Sequence, residues 1–208
     1  MNKVDTIVNI KWLAETVAKS PRNFRVLDGS WHLPNANRNA KAEYSREHIP
    51  GAMFFDIDEC ADQTATKLNH MLPKPADFEK YVGRLGINNN THVVVYDNSD
   101  KFPLFSAQRV WWTFRAFGHQ NISVLDGGLQ KWKKLKHPLT DTVEQVPVEK
   151  FTARFVPDLV KSFEQVETNQ FKDKKFTLVD ARPAPRFTGK APEPRPGTTL
   201  NVSQSTIN

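Results

Sequence analysis

The chain has 208 residues, and its 29 lysines and arginines against 23 aspartates and glutamates give a net charge of +6. The basic residues form no tract, and the densest group, residues 131–136, is typical of a solvated helix end, so nucleic-acid binding is disfavoured. The one cysteine excludes an intramolecular disulfide, no apolar run approaches the roughly 18 residues of a membrane span, and the start lacks the apolar centre of a secretory signal. We therefore expect a soluble protein of a reducing compartment, cytoplasm or mitochondrial matrix, without nucleic-acid or membrane partners.

The apolar pattern predicts helices and strands that alternate along the first two thirds of the chain. In chain order we expect a helix capped by Asn9, the strand Phe24–Asp28, the short strand Met53–Phe55, a helix that begins at Pro75, the strand His92–Tyr96, the helix Ser106–Phe117, the strand Ile122–Leu125 and the helix Leu129–Leu135. Continuous β-branched runs such as His92–Tyr96 are typical of parallel strands buried on both faces. The pattern predicts an α/β fold with a central parallel sheet flanked by helices.

The opening pattern of this domain begins a second time near residue 151. A helical stretch at Val160–Glu167 precedes the run Phe176–Asp180, which repeats the strand Phe24–Asp28, and the two terminal aspartates are 152 positions apart. Residues 137–150 have no apolar period and contain two prolines, so they indicate a linker. We predict an N-terminal domain over 8–136, a linker over 137–150 and an incomplete second copy over 151–208.

The loop after the central strand is the expected place for chemistry. Ligands of α/β sheets bind beyond the carboxyl ends of the strands, where helix N-termini present N–H groups that would stabilise a cysteine thiolate. The first copy has Asp97 at this position, and a carboxylate is a poor sulfur carrier that repels anions. We expect this copy to be catalytically silent. The equivalent loop of the second copy would fall near position 249, beyond Asn208.

Cys60 is the remaining candidate nucleophile. The acidic residues that precede it would raise the pKa of its thiol, so we predict a structural role. A metal site built from the neighbouring carboxylates and a histidine fits no standard spacing, and we predict neither a metal nor another cofactor. The residues weighed for that site are Asp56, Asp58, Asp62 and His70. His48 is expected to hold the backbone of a turn.

Five segments, in the same order, resemble the two-domain rhodanese family, which comprises the thiosulfate and 3-mercaptopyruvate sulfurtransferases. They are His48–Ala52, Phe54–Asp58, His70–Pro73, Arg109–Trp112 and Leu125–Gly128, and the similarity extends from about Val8 to Gly197. The resemblance implies that the first domain has lost its nucleophile, which matches Asp97. It also implies that the second domain carries a cysteine that becomes a persulfide and passes sulfur to a thiol or cyanide.

The resemblance further implies two contacts to the sulfur donor. Arg186 matches the arginine that holds the anionic donor, and Arg195 matches a second arginine typical of the mercaptopyruvate branch. A guanidinium group suits a carboxylate or a thiosulfonate, because two parallel N–H groups meet two oxygens. From spacing alone, Arg186 is a solvated surface residue, and Arg182 is expected to pair with a carboxylate. The implied donors are 3-mercaptopyruvate, which Arg195 favours, and thiosulfate.

After Gly197 the family pattern is not continued, which is typical of a truncated or alternatively spliced product. We expect the chain as it stands to be inactive. An alternative interpretation is a non-catalytic rhodanese-like module that binds a partner or a small anion.

Overall fold

The computed structural model describes residues 4–192 except residues 20, 66, 67 and 103. The described residues divide into two compact units, one within Met1–His32 and Asn39–Val160, the other within Leu33–Arg38 and Lys161–Asn208. In the described part of the chain, no helix has the length and apolarity needed to cross a membrane.

The first unit contains a five-stranded parallel sheet, which confirms the predicted α/β fold. Its strands are β1 (Ile7–Val8), β2 (Phe24–Asp28), β3 (Ala52–Phe54), β4 (His92–Tyr96) and β5 (Ile122–Leu125), in the spatial order β1-β5-β4-β2-β3. The central pair, β2 and β4, is in register from Phe24 opposite His92 to Asp28 opposite Tyr96. Because all the pairs are parallel, the carboxyl ends of the strands lie at one edge of the sheet.

Five helices of the first unit flank the sheet. They are α1 (Ile10–Lys19), α2 (Ala40–Arg46), α3 (Pro75–Arg84), α4 (Ala107–Ala116) and α5 (Gly128–Lys134). Asn9 caps α1 as predicted, since its side-chain oxygen accepts a hydrogen bond from the Trp12 N–H at 2.9 Å. The predicted strands and helices of this unit are confirmed, with ends that move by one or two residues, as is usual where helix ends fray.

Alternate residues of β4 enter two apolar clusters on opposite faces of the sheet. The first cluster contains Val93 and Val95 together with Phe78 of α3 and Phe114 of α4. The second contains Val94 and Tyr96 together with Leu13 of α1 and Trp132 of α5. Each of these side chains contributes about 1.5–3 kcal/mol by leaving water. Burial on both faces explains why the strand shows a continuous apolar run in the sequence.

The segment that follows α5 packs along the first unit. Thr140 forms an antiparallel bridge with His48, and the Glu149 N–H donates to the Gly83 carbonyl at 2.9 Å. Phe151 is 4% exposed, and its ring stands edge-on to Phe78 at 5.6 Å. The predicted boundary at residue 150 therefore divides a segment that packs as one piece with the first unit, because Phe151 completes the core beneath α3 and α4.

The second unit is described through two short helices, α6 (Phe163–Thr168) and α7 (Ala184–Phe187), with a π-helical turn after α6. Ser162 and Gln165 cap α6 with a reciprocal pair of hydrogen bonds. The predicted strand Phe176–Asp180 is wrong, because these residues are exposed and no described strand pairs with them. A strand gains its hydrogen bonds and much of its burial from neighbouring strands, so an apolar run alone does not create one.

Candidate functional site

The loop between β4 and α4 places the carboxylate of Asp97 beneath the N-terminus of the helix. Its Oδ2 atom accepts hydrogen bonds from the backbone N–H groups of Phe105 and Ser106, both at 2.8 Å, and of Ala107 at 2.9 Å. Its Oδ1 atom accepts from the Ser99 N–H at 3.2 Å. The first N–H groups of a helix have no partner within the helix and favour an anion. The chain's own carboxylate therefore fills the anion cradle of this loop.

The position of this loop is fixed through its backbone as well. The Leu129 N–H of α5 donates to the Asp97 carbonyl at 2.9 Å. Gly128 lies against the same carbonyl with a φ of +53°, and a Cβ atom built on it would come within 2.4 Å of that oxygen. Only glycine fits this approach without a shift of the backbone. The sequence pair Gly127-Gly128 is therefore part of the site.

A buried polar network connects the loop to β2. Asp28, 2% exposed, accepts hydrogen bonds from the Ser30 hydroxyl and from the Ser30 N–H, and the Asn98 N–H donates to that hydroxyl at 2.8 Å. Burial raises the pKa of Asp28 to about 6, although the hydrogen bonds from Ser30 and the Tyr96 hydroxyl oppose the rise. Such a satisfied network holds the loop in one arrangement.

A second group of reactive side chains lies in the loop after β3. The Nε2 atom of His70 lies 2.6 Å from Oδ1 of Asp58, and the Trp31 indole N–H donates to Oδ2 of Asp58 at 3.1 Å. The Trp31 ring stands edge-on to the imidazole at 5.0 Å. The carboxylate accepts a hydrogen bond from Nε2. The proton of the neutral imidazole therefore lies on Nε2, and Nδ1 is the basic nitrogen. This is the arrangement of a general acid–base and the group that orients it.

This pair also borders the Asp97 loop. The Trp31 N–H donates to the hydroxyl of Ser106 at 3.1 Å, and Ser106 is the residue before α4. The Trp31 ring further stacks on Phe105 at 6.3 Å. Trp31 thus joins the carboxylate–imidazole pair to the filled anion cradle.

Residues 37–135 match the family model described as Rhodanese-like domain. Over 205 residues the chain is 43% identical to 3-mercaptopyruvate sulfurtransferase of Homo sapiens, a match that covers 97% of the chain and 68% of the relative. The chain belongs to the rhodanese family of sulfurtransferases. Thiosulfate sulfurtransferase of Rattus norvegicus is 47% identical over 190 residues, which is 90% of the chain and 63% of that relative.

Solved structures agree with the rhodanese assignment. SseA from Escherichia coli, a 3-mercaptopyruvate sulfotransferase with the rhodanese fold, superposes with a TM-score of 0.81 at 36% identity. That match covers 90% of this chain and 69% of SseA. Tum1 from Saccharomyces cerevisiae superposes with a TM-score of 0.80 at 27% identity, over 94% of this chain and 66% of Tum1.

Cys60 is the single cysteine of this rhodanese chain, and it is buried at 8% exposure. Burial raises the pKa of its thiol well above the ordinary value, and the charge of Glu59 raises it further, although Arg109 and Arg84 oppose the rise. A thiol kept protonated inside an apolar cluster is a poor nucleophile. These findings agree with the predicted structural role.

The acidic residues near Cys60 each have local partners. Asp56 accepts from the N–H groups of Asp58 and Glu59, and Asp62 accepts from Thr64. Within the described residues, no group of three or more histidine, cysteine, aspartate or glutamate side chains is arranged to hold a metal ion.

The two arginines that the resemblance assigns to the donor belong to the carboxyl-terminal part of the chain. Arg186 lies half-buried in α7, where its N–H donates to the Pro183 carbonyl at 2.9 Å. Arg195 lies outside the described residues. Arg182 pairs with Asp180, with 2.6 Å between Nη2 and Oδ2, as the sequence predicts. Donor binding by Arg186 and Arg195 stays a prediction.

The pairing of Asp58 with His70 does not follow from the sequence, which suggests these residues only as candidate metal ligands. They are twelve positions apart, and the chain between them has no periodicity that would bring them together. The signals in the sequence are the group of carboxylates with His70, whose spacing fits no standard metal site, and the His70–Pro73 segment of the resemblance. The contact depends on a left-handed backbone at His70, which a non-glycine residue rarely adopts.

Proposed function

We propose that this chain serves the transfer of a sulfane sulfur from 3-mercaptopyruvate or thiosulfate to a thiol or cyanide. The cysteine that carries the sulfur is supplied by sequence outside these 208 residues. The proposal is supported by the relatives, which are 3-mercaptopyruvate and thiosulfate sulfurtransferases. The single observation that carries it is the Asp97 carboxylate in the anion cradle, which supports a scaffold role for the described copy.

The chemistry requires a thiolate, which Asp97 is unable to replace. The thiolate attacks the outer sulfur of the donor, so an S–S bond forms and the donor's bond to that sulfur breaks. Mercaptopyruvate then leaves as the enolate of pyruvate, and thiosulfate leaves as sulfite. The acceptor attacks the outer sulfur of the persulfide and regenerates the thiolate. A carboxylate forms no persulfide, and this one already occupies the N–H groups that would stabilise an incoming anion.

The pair formed by Asp58 and His70 can supply the proton that one of these donors requires. The enolate of pyruvate becomes pyruvate only when its carbon is protonated, whereas sulfite needs no such step. A protonated imidazole beside a carboxylate is a suitable acid. We therefore propose that this pair acts with mercaptopyruvate as the donor, and that Arg186 and Arg195 bind the anionic groups of that donor.

A chimera tests this proposal directly. Residues 1–197, which include Arg186 and Arg195, are continued with the part of the human relative that follows the position aligned with Gly197. The product is incubated with cyanide and either mercaptopyruvate or thiosulfate. We expect thiocyanate from the chimera, none from the 208-residue chain, and none when the grafted reactive cysteine is changed to serine. A folded chimera that transfers sulfur from neither donor, or one that stays active without that cysteine, would contradict the proposal.

The alternative, a non-catalytic binding module, is favoured by the exposed apolar side chains of the second unit. Phe163, Phe171 and Val179 are 76%, 74% and 78% exposed. A deletion that tests this role has to begin at residue 161, because Phe151 belongs to the core of the first unit. A defined partner that binds the whole chain and fails to bind residues 1–160 would favour the module.

A further inference from the structure

The backbone of His70 adopts a conformation that its own side chain disfavours. Its φ is +62°, in the left-handed region where the Cβ atom of an L-residue meets the following carbonyl oxygen. Such a residue keeps this conformation only where surrounding contacts hold it. One local contact closes the loop, since the Asp62 N–H donates to the Met71 carbonyl at 2.9 Å. That bond holds the carbonyl of the peptide after Met71, one peptide beyond the carbonyl of His70.

Arg109 supplies a contact to the peptide between His70 and Met71. Its Nη2 group donates a hydrogen bond to the His70 carbonyl, across 39 positions of sequence. Arg109 lies in the first turn of α4, three residues after Ser106, which accepts from the Trp31 N–H. The same helix end therefore contacts the backbone carbonyl of His70 and the backbone N–H of Trp31, whose ring stands edge-on to the imidazole.

The guanidinium of Arg109 is itself held in place. Its central carbon lies 4.7 Å from the centroid of the Trp112 ring, on which the planar group can stack. The Arg109 side chain is also half-buried. A planar group fixed on a ring donates along a defined direction, whereas a lysine ammonium on a flexible stem does not.

From these contacts we infer that Arg109 is a positioning residue for the imidazole of His70. It holds the carbonyl of His70, which fixes the left-handed backbone and so delivers Nε2 to the Asp58 carboxylate. The proton then stays on Nε2 and Nδ1 is the basic nitrogen. This inference rests on the proposed acid–base role of the pair, but its structural content is independent of turnover.

Nuclear magnetic resonance of the 208-residue chain tests the inference. Spectra of the histidine rings are recorded at about pH 8, where an ordinary imidazole is neutral, so the protonated nitrogen of each ring is identified. The variants are Arg109→Met, Arg109→Lys and the matched control Arg115→Met. Arg115 lies on the same helix with its guanidinium 5.4 Å from the Trp111 ring, so its loss removes a comparable cation–aromatic contact.

We expect His70 of the wild type and of Arg115→Met to show a slowly exchanging Nε2 proton and a single tautomer. Arg109→Met should lose that proton signal and show averaged ring nitrogens at His70, and Arg109→Lys should recover part of the wild-type spectrum. The buried His119 serves as an internal reference for folding. The inference is overturned if His70 is unchanged in Arg109→Met, or if Arg109→Met and Arg109→Lys both disturb His119 as strongly as His70.

These results separate the inference from the proposed function. An altered His70 signal in Arg109→Met together with an inactive chimera would leave the positioning role intact and remove the proposed reaction. An active chimera together with an unchanged His70 signal would support the proposed reaction and remove the positioning role of Arg109.

Discussion

The Oδ2 atom of Asp97 lies 2.9 Å from the backbone nitrogen of Ala107, the first residue of α4. The same oxygen accepts from the two preceding N–H groups, so the side chain acts as a cap for the helix from within the loop. A thiolate at this position would accept hydrogen bonds from the same backbone N–H groups. The residue that fills the anion cradle of this loop is thus also a residue that stabilises the loop.

Replacing Asp97 tests the capping role. Asp97→Ala leaves three N–H groups, two of them buried, without their acceptor, and we expect a loss of about 1–3 kcal/mol in the free energy of unfolding. Asp97→Asn retains one acceptor oxygen and should lose less. Denaturant titration measures both. A change of less than about 0.5 kcal/mol in Asp97→Ala would show that water replaces the carboxylate without cost.

Gly128→Ala tests the close approach of α5 to the loop. The new Cβ atom would meet the Asp97 carbonyl at 2.4 Å, and φ is positive, so we expect a loss of about 2–4 kcal/mol from strain and from displacement of the loop. Gly51→Ala is the matched control, because φ there is +75° while the nearest atom, of Glu144, is 3.9 Å away. The control should lose only about 1 kcal/mol. Equal losses in thermal or denaturant unfolding would mean that the contact with Asp97 is unimportant.

Asp28 is expected to make stability depend on pH. Its pKa is raised by burial from 3.8 to about 6, so the folded state binds the proton more tightly than the unfolded state. Its contribution is fully present below about pH 4 and is lost as the pH rises through about 6, a change of about 3 kcal/mol at most. The buried groups beside it are Tyr96 and Asp97.

His119 makes stability depend on pH in the opposite direction over the same pH range. Burial lowers its pKa to about 4, so its contribution is present above the unfolded value of 6.5 and is lost as the pH falls towards 4. In the wild type the two effects oppose each other. Asp28→Asn removes one of them, and its free energy of unfolding should fall more steeply with acid than that of the wild type. Parallel curves for the two proteins between pH 4 and 6.5 would exclude a raised pKa at Asp28.

The acid–base pair predicts a difference between donors. In the chimera, Asp58→Asn should lower sulfur transfer from mercaptopyruvate by about 10²–10⁴-fold, because the imidazole loses the carboxylate that orients it. Transfer from thiosulfate should change much less, since sulfite leaves without protonation at carbon. Initial rates with each donor provide the comparison. An equal loss with both donors would indicate that Asp58 supports the fold rather than the proton transfer.

The sequence could predict the sheet of the first unit because each buried strand carries its own signal. The run His92–Tyr96 is apolar on both faces, and that burial is what the structure shows. The position of Asp97 followed from the same reasoning, since a loop at the carboxyl end of a central strand leads into a helix N-terminus. The strand β1, Ile7–Val8, is too short for any period to be visible.

Features that depend on distant contacts could not be predicted. The strand expected at Phe176–Asp180 had the right composition, but composition does not provide a neighbouring strand. The burial of Phe151 depends on a gap between two helices that are far from it in sequence. The contact of His70 with Asp58 depends on the left-handed backbone of His70, which Arg109 contacts from α4.

If these 208 residues contain no sulfur carrier, the intact mass of the protein stays the same after exposure to a sulfur donor. The purified chain is incubated with mercaptopyruvate, freed of donor and weighed by mass spectrometry beside a Cys60→Ser control. We predict that neither protein gains the mass of a sulfur atom. A gain in the wild type that is absent from Cys60→Ser would place a persulfide on the buried thiol and show that the chain itself carries sulfur.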